Sequence, residues 1–180
     1  MDGVRLLVRL GAVAEPSEID WDAVYREELP RIYNFFRYRV PNRASAEDLT
    51  SATFEKGWRA RHRYRRDRAA VSTWLLAIAR NVAVDHLRQL RPEVPLDEVS
   101  PRDEETPETA AMRTSRHHRL RTLLTALPAR EQELVSLKYG AGATNRAIAK
   151  LTSLSESNVG TILHRTVAAL RASWDEGETR

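Results

Sequence analysis

The 180-residue chain contains no cysteine, which excludes a disulfide framework, a thiolate nucleophile and a cysteine-based zinc site. That composition suits a reducing cytoplasm, and redox chemistry is not expected. Long hydrophobic runs are missing too. The opening MDGVRLLVRLGAVAE holds a short apolar stretch, but Arg5 and Arg9 interrupt it. Nothing later approaches the roughly 20 apolar residues of a membrane helix. Residues 1–19 read as a lead-in, and the chain is expected to be soluble, without membrane insertion. A strong excess of one charge is also lacking: 29 Lys plus Arg stand against 25 Asp plus Glu, a formal net charge of +4. Where the cations cluster therefore matters more than their sum. Signatures of catalysis are absent, with no GxxxxGK phosphate loop, GxSxG elbow, HExxH pair or glycine-rich dinucleotide turn. His62, His86, His117, His118 and His164 show no ligand spacing with nearby carboxylates, so neither a metal nor another cofactor is expected. An enzyme is not indicated.

What is present is helical periodicity. Trp21, Val24, Tyr25, Leu29, Ile32, Phe35 and Phe36 recur at three- and four-residue spacing, which predicts an amphipathic helix, with Pro30 as the point where it can bend. Pro41 and Asn42 break that pattern, and Ser45-Ala46-Glu47-Asp48 reads as a variant capping box opening a second helix through Leu49, Phe54 and Trp58. A third helix is predicted from about Ser72 to Arg91. Trp74, Leu75, Ile78, Ala79, Val82 and Leu87 lie on one side of it, and Arg80, Asn81, Arg88 and Arg91 on the other. Helical patterning returns from about Thr114 to Leu127, stops at Pro128 and resumes to Tyr139, where Gly140 and Gly142 mark a turn. Thr144 to Leu151, a short break, and Ser155 to about Trp174 have the length and punctuation of a helix-turn-helix. The expected fold is all-α: two small helical domains, 20–91 and 114–180, the second with the helix-turn-helix.

Charge separates these units. Residues 92–108 hold four prolines and seven acidic residues against one Arg; such a segment buries little, and 92–113 is expected to be an acidic linker. Residues 61–70, RHRYRRDRAA, hold five Arg against one Asp. With Tyr64 they can attract phosphates and stack on unpaired bases, although a solvated charged loop explains the same composition. In the helix-turn-helix, Ser155 is a plausible N-cap for the second helix. That helix offers Ser157, Asn158, Thr161, His164 and Arg165 opposite its apolar stripe, as a recognition helix would; plain helical packing fits this pattern equally. Phe35, Phe36, Trp58 and Trp74 fit a core better than a base-stacking set, and Phe54 and Trp58 can also seat a partner protein.

Three segments together resemble the extracytoplasmic-function group of the sigma-70 superfamily, over about residues 20–173. WLLAIARNVAVDHLRQLR, from Trp74, is similar to the family's helix for opening the −10 promoter element. AEDLTSATFEKGW, from Ala46, is similar to its polymerase-docking segment, and LPAREQELVSLKYG followed by IAKLTSLSESNVGTILHRTVAALR to its −35-binding region. The resemblance implies a promoter-specificity subunit of bacterial RNA polymerase. Asp48, Leu49, Phe54 and Trp58 fall where the family docks on core polymerase. Arg61, Arg63, Tyr64, Arg65, Arg66, Arg80, Asn81 and Arg88 fall where it captures the non-template strand, and Ser157, Asn158, Thr161, His164 and Arg165 where it contacts the −35 duplex. It also implies promoter DNA and an anti-sigma factor as partners, a monomer when free and a cytoplasmic location. Two other readings are a dimeric helix-turn-helix regulator acting without polymerase and a degenerate sigma-like protein that sequesters a partner. The sequence departs from the family pattern in places. Ser51 and Ala52 stand where Gln and Glu are frequent, and Ser153 and Ser157 replace common glycines. Gly160 stands where Lys is frequent and Ile162 where Arg is frequent, leaving the recognition helix short of cations.

Overall fold

A computed structural model describes residues 20–89 and 107–176, with side chains of the second stretch from Arg116 onward. The lead-in 1–19, Arg91 and the linker as far as residue 106 lie outside the described residues. Those that are described form helices and turns without a strand.

The first helix, α1 (Trp21–Arg37), is capped by Asp20, whose carboxylate accepts from the Ala23 N–H at 3.0 Å. It buries Val24, Ile32, Phe35 and Phe36, and Pro30 sits exposed within an uninterrupted helix. Helix α2 (Arg43–Ala60) starts almost a turn earlier than a Ser45 cap requires. Asn42 is the N-cap, its side chain accepting from the Ser45 N–H at 2.6 Å. Asn caps as well as Ser and comes first after Pro41, so Ser45 is drawn into the first turn. Gly57 is where α2 comes closest to its neighbours: a Cβ there would lie 3.0 Å from Leu75 Cδ2 and 3.2 Å from the Trp21 ring. Thr50 and Thr53 are buried without penalty because their hydroxyls donate to the Ala46 and Leu49 carbonyls, at 2.6 and 2.7 Å. After a 3₁₀ turn at Arg61–Arg63, α3 (Val71–Gln89) buries Leu75, Leu76, Ala79, Val82 and Ala83 against α1 and α2. Each fully buried Leu or Phe contributes about 1.5–3 kcal/mol of transfer free energy.

The second unit begins with α4 (Pro107–Thr125). This start lies about two turns before the expected Thr114 and takes residues 107–113 out of the linker. Proline at the first helical position forfeits no hydrogen bond, since the N–H it lacks has no acceptor there. Helix α5 (Ala129–Val135) runs into a π-helical segment, Ser136–Gly140, closed by the Ala141 N–H donating to the Ser136 carbonyl at 2.9 Å. Gly142, at φ +64°, makes the turn that glycine alone adopts freely. Helix α6 (Asn145–Thr152) is capped by Thr144, and α7 (Glu156–Glu176) by Ser155, whose Oγ accepts from the Asn158 N–H at 3.2 Å. Ile148, Val159 and Leu163 close the core between α6 and α7. The helix-turn-helix expected at 144–174 is therefore present, with Ser153 at φ 57° making its turn.

The two units are packed together: α1 lies against the π-helical segment and α3 against α6. The closest approach is at Gly140, where a Cβ would lie only 2.8 Å from the Asn34 carbonyl oxygen.

Two substitutions test the local strain. Ser153→Gly removes a side chain from a left-handed backbone and should stabilise the protein by about 1 kcal/mol. Gly160 lies within α7, where an added Cβ would make an ordinary 3.7 Å contact with Asn145 Nδ2, so Gly160→Ala should add roughly 0.5–1 kcal/mol. Thermal unfolding measures both, and a lowered midpoint for either would contradict this account.

Candidate nucleic-acid and polymerase interfaces

The basic loop between α2 and α3 is built on aromatic rings. Trp21 lies 5.8 Å from Trp58 and 6.2 Å from Trp74, and Tyr64 lies 5.3 Å from Trp74, centroid to centroid. Arg61 covers the outer ring, its guanidinium carbon 3.8 Å from the Trp58 centroid, while Nη1 donates to the Trp58 carbonyl at 2.8 Å. The Tyr64 hydroxyl donates to the Ala69 carbonyl at 2.9 Å, closing the loop on itself. Loop conformation is thus set by rings, and Arg61, Arg63, Arg65 and Arg66 all stand exposed upon it. The sequence reading placed Trp21 only on a helix face; its role as the centre of this ladder depends on contacts that periodicity does not show.

Along α2, the residues expected at a docking surface divide by burial. Asp48 and Trp58 are exposed, whereas Leu49 and Phe54 are core residues that hold the helix in place. Phe54 stacks edge-on against Tyr25 at 4.7 Å, and Tyr25 itself is exposed. Beside this pair, an open groove of about 370 Å³ runs between α1 and α2, lined by Tyr25, Leu29, Pro30, Tyr33, Glu47, Thr50 and Ser51. Of the residues expected to dock, Asp48 and Trp58 thus face outward.

On α3, Asn81 and Arg88 face solvent, as the helical wheel requires. Arg80 does not. Its Nε donates to Glu133 Oε1 of α5 at 2.7 Å, and its Nη1 donates to the Leu151 carbonyl of α6. The ion pair is largely enclosed, with side-chain exposures of 25% for Arg80 and 16% for Glu133. Helical periodicity placed Arg80 on a free face, but a wheel assigns angles and not neighbours; the second unit covers that angle.

The same seam holds several further arginines and the buried Glu28, whose Oε2 lies 3.5 Å from Arg31 Nη1. Arg31 Nε donates to the Ala141 carbonyl at 2.9 Å, Gln132 Nε2 to the Tyr38 carbonyl at 3.3 Å and Arg121 Nη1 to the Pro41 carbonyl at 3.2 Å. Arg39, only 6% exposed, keeps Nε and Nη1 without acceptors among the described residues, as do Arg37 at Nη1 and Arg121 at Nε. Burial pushes the pKa of Arg39 below its ordinary value, with nearby Glu133 opposing and Arg80 adding to the shift. Burial likewise lowers that of Arg121, helped by Arg37.

In the helix-turn-helix, Ser157, Asn158, Thr161, His164 and Arg165 are all exposed on α7, while Val159, Leu163 and Thr166 turn inward. Thr166 is anchored through its hydroxyl to Glu131 Oε2 at 3.2 Å. One face of α7 is thereby left open to a groove-sized ligand, and Arg165 is the one arginine among the five predicted residues. No group of three or more His, Cys, Asp or Glu residues that could hold a metal occurs among the described residues.

Comparison with known proteins gives this arrangement a context. The family described as Sigma-70 region 2 matches residues 24–93, and that described as Sigma-70, region 4 matches residues 117–170. The RNA polymerase sigma factor CarQ of Myxococcus xanthus is 33% identical over 155 residues, covering 84% of this chain and 87% of CarQ. The chain belongs to the extracytoplasmic-function group of the sigma-70 family. The ECF RNA polymerase sigma factor BldN of Streptomyces coelicolor is 28% identical over 174 residues, 94% of this chain and 66% of BldN's own length. The ECF RNA polymerase sigma factor SigM of Bacillus subtilis is 25% identical over 158 residues, 87% of this chain and 96% of SigM. Among solved structures, the sigma factor RpoE from Bartonella quintana, in complex with the anti-sigma factor NepR, matches with a TM-score of 0.67 at 17% identity, over 85% of this chain and 95% of that one. CnrH in complex with the cytosolic domain of CnrY matches at 0.65 and 20%, over 87% and 88%. These structures share the all-helical sigma fold. Within it, α1–α3 make up region 2 and α4–α7 region 4, in the order that the sequence resemblance implies.

Proposed function

We propose that this sigma factor directs core RNA polymerase to promoters through two separate contacts with DNA. Region 2 docks on core by way of Asp48, Trp58 and the surface they border. The arginine loop then holds the non-template strand of the −10 element with Arg61, Arg63, Tyr64, Arg65 and Arg66. Asn81, Arg88 and, once released, Arg80 extend that contact along α3. Region 4 meets the −35 duplex with Ser157, Asn158, Thr161, His164 and Arg165. The observation that carries this reading is the exposed arginine loop seated on a ladder of aromatic rings. Guanidiniums attract the backbone while rings offer stacking to unpaired bases, which favours single-stranded over paired DNA.

In this reading the chain has no catalytic activity and needs no cofactor. Strand opening draws on binding energy, because capture of an extruded base offsets the few kcal/mol of unstacking. With Arg165 the one arginine among the five predicted contacts and uncharged Gly160 and Ile162 where the family often has cations, the −35 contact is weak in phosphate anchoring and relies on polar groups reaching base edges. The protein works in the cytoplasm, is a monomer when free and is held in check by an anti-sigma factor. No described helix is long and apolar enough to cross a membrane.

Run-off transcription with purified core polymerase on genomic DNA from the same organism tests the proposal. Specific new transcripts dependent on the protein are expected; no transcript and no complex with core would refute it. In the same assay, changing Arg63, Arg65 and Arg66 to Ala should impair open-complex formation more than binding to core, and equal loss of both would remove the loop's role. Asn158→Ala with Arg165→Ala should shift −35 preference. Unchanged promoter selection by that pair would refute the assignment of α7.

A further inference from the structure

The groove of about 370 Å³ between α1 and α2 is apolar along one wall and acidic at the other rim. Tyr25, Leu29 and Tyr33 form the α1 side, and Glu47 and Ser51 belong to the α2 side. Tyr25 is 45% exposed although its ring packs on Phe54. Ser51 is short and exposed, and so leaves the space between the helices open. Glu47 shares its carboxylate with Arg43 at 2.8 Å, with about half of each side chain in solvent. Asp48, next along α2, is exposed and has no ion-pair partner among the described residues. An apolar trough with carboxylates at its rim suits an amphipathic segment that carries cations along one edge.

We infer that this groove is the seat of the chain's own residues 4–13, which cover part of the polymerase-docking surface until core displaces them. The inference rests on the reading of the surface around Asp48 as that dock. Three observations support it. Residues 4–13 read VRLLVRLGAV: at helical spacing Val4, Leu7, Val8 and Leu10 share one stripe, while Arg5 and Arg9, four apart, lie together beside it. That stripe matches the tyrosine and leucine wall, and the arginine pair matches Glu47 and Asp48. The reach is also sufficient. Leu29 lies about 12 Å along α1 from Trp21, and residues 14–19, if extended, span about 20 Å, enough to lay residues 4–13 back along the groove. Finally, so short a tether gives the segment an effective concentration on the order of millimolar at the groove. A contact of modest affinity is then filled in the free chain and still yields to a partner with a larger surface.

Because the chain has no cysteine, Gly3→Cys and Ala44→Cys, the latter exposed on α2, give unique positions for a spin-label distance in the full chain. Two variants release the segment by different means: Arg5→Glu with Arg9→Glu reverses its charge, and Leu7→Asp with Leu10→Asp spoils its apolar stripe. All four positions lie outside α1–α7, so the packed helices are left as they are. In the free parent one short, narrow distance is expected, becoming longer and broader in both variants and on adding purified core polymerase. If the seated form holds about nine-tenths of the free chain, both variants should bind core about tenfold more tightly. A broad distance in the free parent, or one that neither variant moves, would overturn the seat. A distance that changes only when phosphatidylserine vesicles are added would overturn it in favour of a membrane-surface helix. Release in both variants with unchanged affinity for core would support the seat and overturn the reading of this surface as the dock.

Discussion

One guanidinium cannot serve two sets of acceptors, and that constraint at Arg80 organises this molecule. Its donors are shared between the Glu133 carboxylate and the Leu151 carbonyl, joining α3 to both α5 and α6. Around it the Asn34 backbone meets Gly140, and Arg31, Gln132 and Arg121 reach carbonyls across the seam. Because most of these bonds run from a side chain to a backbone carbonyl, they bind a shape more than a sequence. Region 2 buries Phe35, Phe36 and Phe54 beside its aliphatic residues, whereas the buried hydrophobic residues of region 4 are all aliphatic.

From this follows a division of labour within the chain. Region 2 carries a preformed surface, the arginine loop on its ring ladder, whose geometry is held by Trp21, Trp74 and the Tyr64 hydroxyl. Region 4 carries an exposed polar face on α7. Tying the units together covers Arg80 while leaving the loop and that face open. Within the seam, Arg37, Arg39 and Arg121 each keep at least one enclosed guanidinium nitrogen without an acceptor among the described residues.

Much of this was legible in the residues. The apolar spacing of Trp21 to Phe36 and the Gly142 turn encode their structure locally, so α1, α3 and the helix-turn-helix were predictable in place. Boundaries set by competing caps were not: Asn42 preceded Ser45, and Pro107 started α4 where composition suggested linker. The resemblance places Leu49 and Phe54 at the polymerase-docking surface, but both are buried in the core, which the motif does not report. The seam was invisible because it depends on which exposed face of one unit meets the other. Neither the helical wheel of α3 nor the pattern of α5 contains that information. Nor does helical patterning show that at Gly57 the nearby Trp21 ring and Leu75 leave little room for a side chain.

The most direct test of this account is the distance between region 2 and region 4 in the parent chain bound to core polymerase on promoter DNA, compared with the same chain free. A short distance when free that lengthens by tens of ångströms in the initiating complex is predicted. An unchanged short distance in a complex that still initiates transcription would contradict it.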